Sequence, residues 1–575
     1  MYTPVSILSR FQHAVERMLL SYPLGDRSGG FVTADGVSSG THVANARFIA
    51  MAAWCYFDPL SAVRGSSRLR DRIEGALEFQ VDLVRQTGLI DLESTNWQSP
   101  PDTAFTVQLL APLVDLARLY ADVDEADRIR ELLLDYVRRA ATGIDGGGFH
   151  TPNHRWVVCS ALAYAQSLIP GLDFSDYTGR ILAEGIDIND DGEYSERSTG
   201  VYTAVSNRAL IIMAERLDKP ELLDHVRLSL DFVSRLFQPD GSVVTAMSSR
   251  QDRGAKVFPQ ELADIFLIMG DMDQNDEWIR RADSLVCATD TAEPSPWLPY
   301  PWLRSPRLRD RAAAQPPVSL QDAGQTGPGR EHEPARTFMA DSGLYRVRDG
   351  ALALTILRDN HDLLNLIWGS LRVHAMRIAG TYFGRMRFEA RTMEAISGGV
   401  RTAIGAQDFP SVGYYLPVNR PVTLEEIDHI RDERERVGLP QFDLQLDVTE
   451  EEDGFRFHLR SSGGMPGVLV QIELCLDTPE AWHTDTAVLY PNPEAEAAVI
   501  LQNGYGVVRS GHYALRIGPG TDSHRTAYMR GAVASTGWRV TIPLRTPVDY
   551  VLSLDPGYFS DAENRFVPRS EAPRL

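Results

Sequence analysis

One dipeptide recurs through the first half of this chain at a nearly constant interval, and that interval limits the fold more than any other feature. Asp35-Gly36, Asp145-Gly146, Asp191-Gly192 and Asp240-Gly241 are separated by 110, 46 and 49 residues. The first gap is two intervals long, with Gly88-Leu89-Ile90-Asp91 near its midpoint. About 50 residues accommodate two antiparallel helices and their two connections. Asp-Gly makes a tight turn because glycine accepts positive φ at no steric cost. Between the turns apolar residues fall at helical spacing, as in Phe11, Val15, Met18 and Leu19. The run from Asp102 to Val123 does the same through Phe105, Leu109, Ala111, Leu113 and Leu116. Segments Asp127–Ala141, His154–Leu168, Val205–Leu217 and Pro220–Phe237 continue the pattern. Hairpins repeated at this period predict an (α/α) toroid over residues 1–289, with an open solenoid as the rival. A toroid has a central cleft, which accounts for the polar and aromatic residues gathered in its loops.

The texture then changes. Pro294, Pro296, Pro299, Pro301, Pro306, Pro316, Pro317 and Pro328, with Gly324, Gly327 and Gly329, predict a linker over 290–334, since proline blocks helix interiors and central strands. After it the period becomes two. Phe455, Phe457 and Leu459 alternate with Arg456, His458 and Arg460, and Tyr513, Leu515 and Ile517 alternate with Ala514, Arg516 and Gly518. Val468–Leu476, Ala497–Leu501 and Val540–Leu544 also read as strands. The expectation is an α+β multidomain chain whose residues 335–575 form an antiparallel β-sandwich.

Composition excludes some functions. A net charge of −21 argues against nucleic acid as the main partner, yet a cluster of Arg and His can reverse the field inside one cleft. The four cysteines, Cys55, Cys159, Cys287 and Cys475, are far apart and read as reduced, mostly buried thiols. Met1-Tyr2-Thr3-Pro4-Val5 lacks a basic region followed by an apolar run, and no stretch is long enough to span a membrane. The expectation is a cytoplasmic enzyme acting on imported oligosaccharides; a homo-oligomer is allowed. HExxH, paired CxxC, GxSxG and P-loop motifs are absent from the sequence. No catalytic metal and no cofactor are expected, although His332, His361 and His374 could form a structural metal site.

Three stretches could carry chemistry. In Gly146–Trp156 a glycine-rich loop with His150 runs into Asn153-His154-Arg155-Trp156 where a helix begins. Helix N-termini present free N–H groups and a positive dipole end, which suits a carboxylate; Asn153 also fits a simple N-cap. The equivalent loop one repeat later, Asp191–Tyr202, holds Glu193, Tyr194, Glu196, Arg197 and Tyr202. Neighbouring hairpin ends of a toroid meet at one mouth, so these two stretches are expected to face each other. The third stretch is Arg358–Leu366 with His361, and Arg372 and His374 follow on a strand. Asn96-Trp97-Gln98 would make a sugar platform.

This arrangement resembles the heparinase II/III superfamily and the related alginate and oligoalginate lyases. The resemblance rests on Asn153-His154, on a tyrosine one repeat later (Tyr202, with Tyr194 in reserve), and on Phe338-Met339-Ala340-Asp341-Ser342-Gly343-Leu344-Tyr345-Arg346-Val347-Arg348 followed by His361. Many members carry His-Gly-His-x-Asp in the β domain; here Asp359-Asn360-His361-Asp362 has a single histidine. The resemblance implies β-elimination on an acidic oligosaccharide or polysaccharide. The C5 proton of a uronate is removed and the C4–O bond breaks. It implies that Asn153 and His154 hold the carboxylate, with Arg155 or Arg197 assisting. Tyr202 is then base, acid or both, and a phenol close to cations can serve as a base. His361 is its partner, and Glu196 orients His154 or Tyr202. The substrate would further meet Trp97, His150, Trp156, Tyr194 and His374. Three other readings stay open: a glycoside hydrolase using two of Asp145, Asp191, Glu193 and Glu196, a uronate C5-epimerase, and a non-catalytic glycan-binding protein.

Overall fold

A computed structural model describes residues 2–20, 41–84, 86–92, 95–288, 293–314, 334–382, 385–405, 414–437, 441–492, 497–526, 529 and 537–571. The Asp35-Gly36 turn and His332 lie outside the described residues. The chain divides into two compact units, residues 1–237 with 241–330, and residues 238–240 with 331–575. Helices fill the first and strands the second.

Helices of the first unit are of two kinds. Thr41–Phe57, Pro100–Leu110, Pro152–Leu168, Tyr202–Arg216 and Ala263–Met272 are buried on nearly every side; Phe48 to Phe57, for example, is an unbroken buried run. Between them in the sequence come Ser67–Leu83, Ala126–Ile144, Ser175–Ala183, Leu222–Leu236 and Asp276–Ala288. These bury one face, as Ala126–Ile144 does through Ile129, Leu132, Leu133, Tyr136, Val137, Ala140 and Ile144. Successive helices of the first kind pack on one another, and those of the second kind pack outside them. The Asp-Gly interval is therefore one inner helix plus one outer helix.

Hydrogen bonds between inner helices show which way they run. Gln108 Nε2 donates to Ser160 Oγ at 2.8 Å, each residue being the ninth of its helix. Near the far ends, Arg216 Nη2 donates to Tyr164 Oη at 2.6 Å. Partners at matching depth mean parallel helices, so the N-termini at Pro100, Pro152 and Tyr202 lie at one rim.

The second unit contains two large sheets among the described residues. In one, the meander Leu344–Asp349, Leu352–Leu357, Leu364–Trp368 and Leu371–Tyr382 leads to Leu469–Leu476 and Trp538–Arg545. The other has Gly399–Ile404, Phe442–Glu450, Phe455–Gly463, Asp549–Ser560 and Tyr513–Gly518 at its centre. Val373, Ile472 and Val540 from the first share an apolar core with Leu446, Phe457 and Leu554 from the second.

Three expectations change. The single run over Asp102–Val123 is two helices, Pro100–Leu110 and Pro112–Leu119. Pro112 has no N–H to continue the ladder, and its ring crowds the carbonyl four residues back. The proline-rich stretch is not all linker: Tyr300–Arg304 and Pro306–Ala314 are helical, and Trp297, Leu298, Tyr300 and Trp302 are buried in the first unit. Prolines there start short helices, where a missing N–H costs nothing. Among the described residues strand pairing is antiparallel except for Ala497–Ile500, which lies parallel to Trp538–Thr541. Among the described residues no helix is long and apolar enough to cross a membrane, and no group of residues could hold a metal ion. Cys55, Cys159 and Cys475 are buried thiols and Cys287 is half-buried.

Gly143 lets two backbones touch. A Cβ there would sit 2.5 Å from the carbonyl carbon of Gly88. Gly75, also helical, would meet nothing within 4 Å. Gly143→Ala should therefore destabilise the protein by about 1–3 kcal/mol through overpacking, while Gly75→Ala should stabilise it by about 0.5–1 kcal/mol. Denaturant melts of both variants test this opposition of sign.

Candidate functional site

The site starts from Pro152, which opens its helix with Thr151 in extended conformation at the N-cap. Asn153 and His154 therefore lie in the first turn, whose N–H groups have no partner within the helix. The carboxylate of Glu196 occupies this turn. Its Oε2 accepts from the Asn153 backbone N–H at 3.3 Å and from Asn153 Nδ2 at 2.7 Å. The second Nδ2 hydrogen goes to Thr151 Oγ1 at 3.0 Å. Asn153 is 1% and Glu196 5% exposed. Asn153 Oδ1 and Glu196 Oε1 are buried with no hydrogen-bond partner.

A third hairpin end completes the cluster. Arg250 Nε lies 3.4 Å from Glu196 Oε1, and its guanidinium covers the Tyr202 ring at 4.7 Å. Tyr202 is the first residue of its helix, and its hydroxyl donates to Gln251 Oε1 at 3.3 Å. Asp252 fastens the two loops together: it accepts from Ser198 Oγ at 3.0 Å, Ser248 Oγ at 2.5 Å and the Gly200 N–H at 3.2 Å. Asn153, Glu196, Tyr202 and Arg250 thus meet through three successive hairpin ends.

His154 stands beside them. Its ring packs edge-on against Phe105 at 5.9 Å, and its Nδ1 accepts the His150 N–H at 3.4 Å. The proton of the neutral ring is then on Nε2. Burial, reinforced by His150 and Arg250 and opposed by Asp102, pushes its pKa down from 6.5 to about 4. Burial also raises the Glu196 carboxyl, against the pull of Asn153 and Arg250.

Other expected residues have different occupations. Arg155 is paired with Glu184 at 3.0 Å and Asp187 at 3.3 Å, and covers Trp156. Trp156 is fully buried and donates to Asp187 at 2.7 Å, so it is core and not a sugar platform. Tyr194 is buried, donates to Asn207 at 2.7 Å, and has its phenol pushed well up by burial. Arg197 bonds Glu193 at 3.1 Å. Glu196 holds Asn153, not His154 or Tyr202. His150 is exposed next to His154. Trp97 is 80% exposed on the strand Asn96–Ser99 and lines a groove with Asp82, Gln86, Asp91 and Gln98. In the second unit, His361 Nε2 lies 3.6 Å from Asp362, while His374 Nε2 lies 2.7 Å from Asp477.

Sequence reasoning missed Arg250, Gln251 and Asp252. The signal was available: the polar run Ser248–Arg253 follows the Asp240-Gly241 turn, and Arg250 falls 54 residues after Glu196, close to the repeat length.

No family model matches the sequence, and no curated protein matches it. Solved structures do match. Heparinase III aligns with a TM-score of 0.54 and 11% identity over 93% of this chain and 80% of that one. A chondroitin AC lyase of Streptomyces coelicolor A3, in complex with chondroitin sulphate, gives 0.51 and 14% over 99% and 81%. A mutant of the heparan sulfate lyase HepC of Pedobacter heparinus gives 0.51 and 12% over 93% and 78%. Helices followed by sheets, in this order, are the fold of these polysaccharide lyases, and the resemblance read from the sequence holds at that level.

The imidazole of His154 has a consequence for stability. Unfolded, it binds a proton near pH 6.5; folded, it resists protonation down to about 4. Stability should therefore fall as pH drops through this window. His154→Gln should flatten that part of the curve in denaturant midpoints taken from pH 7.5 to 4.5.

Proposed function

We propose that this chain is a polysaccharide or oligosaccharide lyase that cleaves a uronate-containing glycan by β-elimination. The observation that carries the reading is the joined set Asn153, Glu196, Arg250 and Tyr202 at the rim of parallel helix N-termini, next to a neutral His154. The chain shares its fold with heparinase III and a chondroitin AC lyase, which supports the reading. The same proposal takes the inner and outer helices to close as a toroid and the two sheets to form a sandwich. Inner–outer alternation and the shared apolar core support these.

In this mechanism the uronate carboxylate lies against the first turn of the helix that starts at Pro152. His154 Nε2–H donates to it, and Arg250 and the helix ends offset the charge that grows as C5 loses its proton. Donors fixed in advance are worth most in such a step, because they need not reorganise. Tyr202, as the phenolate left when its own proton passes to solvent, takes the C5 proton. The Arg250 guanidinium, 4.7 Å from the centre of its ring, offsets the negative charge that the phenol oxygen carries as a base. The same hydroxyl then protonates the departing C4 oxygen, so no water is consumed.

Uronate oligosaccharides incubated with the enzyme should yield products that absorb in the ultraviolet through the new C4=C5 bond conjugated with the carboxylate, with summed product masses equal to the substrate mass. Tyr202→Phe should lower kcat by about 10²–10⁴ with little change in KM, as expected for loss of a proton-transfer group. New reducing ends without ultraviolet absorbance would exclude elimination.

A further inference from the structure

Asn153 cannot receive a substrate carboxylate as it stands. Both Nδ2 hydrogens are used, one by Thr151 and one by Glu196, and its backbone N–H also points to Glu196. Glu196 already does what a bound uronate would do: it places a carboxylate at a helix N-terminus, on an amide, beside an arginine. We propose that Glu196 is an internal stand-in for the substrate carboxylate, and that uronate binding displaces it from Asn153 with uptake of one proton by Glu196. This rests on the lyase reading above and specifies how the site recognises an acid sugar.

Geometry and electrostatics support the exchange. Two carboxylates cannot share one set of donors while both are charged. Glu196 is 5% exposed, and its carboxylate is bonded to the buried Asn153. Neutralisation by a proton is then easier than carrying its charge out. The groups facing it are few. Asn153 and Thr151 come from the helix start, Asp187 from the preceding turn, and Arg250 with Ser249 from the next hairpin end. Asp187 adds negative charge that favours the protonated form, while Arg250 opposes it. His154 stays neutral above about pH 4 and does not compete for the proton. Asn153 Oδ1 and Glu196 Oε1, neither of which has a hydrogen bond, give the new proton a place: a Glu196 hydroxyl can donate to the amide oxygen once Nδ2 turns to the substrate. The balance is simple. One carboxylate enters, one proton is taken from solvent, Glu196 becomes the acid, and the net charge of the pocket is conserved.

Tyr202→Phe in the full chain gives a binding-competent, slow protein. Calorimetry at pH 7 with a chondroitin tetrasaccharide and an alginate tetramer, in buffers of different ionisation heat, counts the protons. Uptake approaching one proton per bound oligosaccharide is expected, with binding weakening about tenfold per pH unit. Glu196→Gln added to Tyr202→Phe should reduce the uptake to zero. Binding by the single variant with no proton uptake would overturn the exchange while leaving the lyase reading intact. Should the double variant fail to fold, the proton count of Tyr202→Phe alone decides. Failure of both oligosaccharides to bind would count against the lyase reading, and the exchange would fall with it.

Discussion

The bond from the Asn153 amide to the Glu196 carboxylate is the interaction on which the rest of the site depends. It links the helix that starts at Pro152 to the loop one repeat later, and through Arg250 to the loop after that. A buried carboxylate is costly unless its oxygens find donors. Two donors come from Asn153, one of them a backbone N–H that a helix start leaves free in any case. Removing the amide would leave a buried charge behind, which costs more than the bond itself contributes. The cluster is thus held by the penalty for breaking it.

Charge explains why such a site exists in this chain at all. With a net charge of −21, the protein should repel an acidic glycan at long range. Attraction must be local and must survive screening, since the Debye length in physiological salt is about 8 Å. Parallel inner helices provide this by bringing several positive dipole ends to one rim. Arg250 is itself paired with Glu196 and would face the proposed substrate with a full charge once Glu196 takes up a proton, whereas Arg155 and Arg197 are paired with Glu184, Asp187 and Glu193. Selectivity then lies in which cations are left to face the cleft, not in how many surround it.

The sequence made the repeat legible because tight turns need glycine. Gly146, Gly192 and Gly241 all adopt positive φ, at 74°, 100° and 85°. The alternation Phe455, Phe457, Leu459 was equally plain and holds in the strand Phe455–Gly463. Inner and outer helices could not be told apart by amphipathic pattern alone, because a helix buried all round has no polar stripe. Asn153, His154 and Tyr202 were visible as polar residues at helix starts. The fate of Trp156, Tyr194 and Arg155 was not: each depends on a partner 13 to 31 residues away, Asp187, Asn207 or Glu184. Arg250 escaped notice because a single arginine in a loop carries no pattern. Only the repeat length marks its position as equivalent to the two stretches before it.

The far ends of the inner helices bear on the rim as well. Asp115, in the first turn of Pro112–Leu119, accepts from Tyr164 at 2.9 Å and from Arg216 at 2.9 Å, tying that helix to the C-terminal parts of Pro152–Leu168 and Tyr202–Arg216. Gln108 and Ser160 join Pro100–Leu110 to the middle of Pro152–Leu168. A slip of one helical turn would shift a side chain by about 5.4 Å, breaking both sets of bonds and separating Asn153 from Glu196. Apolar packing alone would resist such a slip weakly, because neighbouring turns of an all-apolar helix look alike. Polar bonds at two depths remove that ambiguity. They set where the first turns end, and so set the distances among Asn153, Tyr202 and Arg250 from the opposite side of the helical unit.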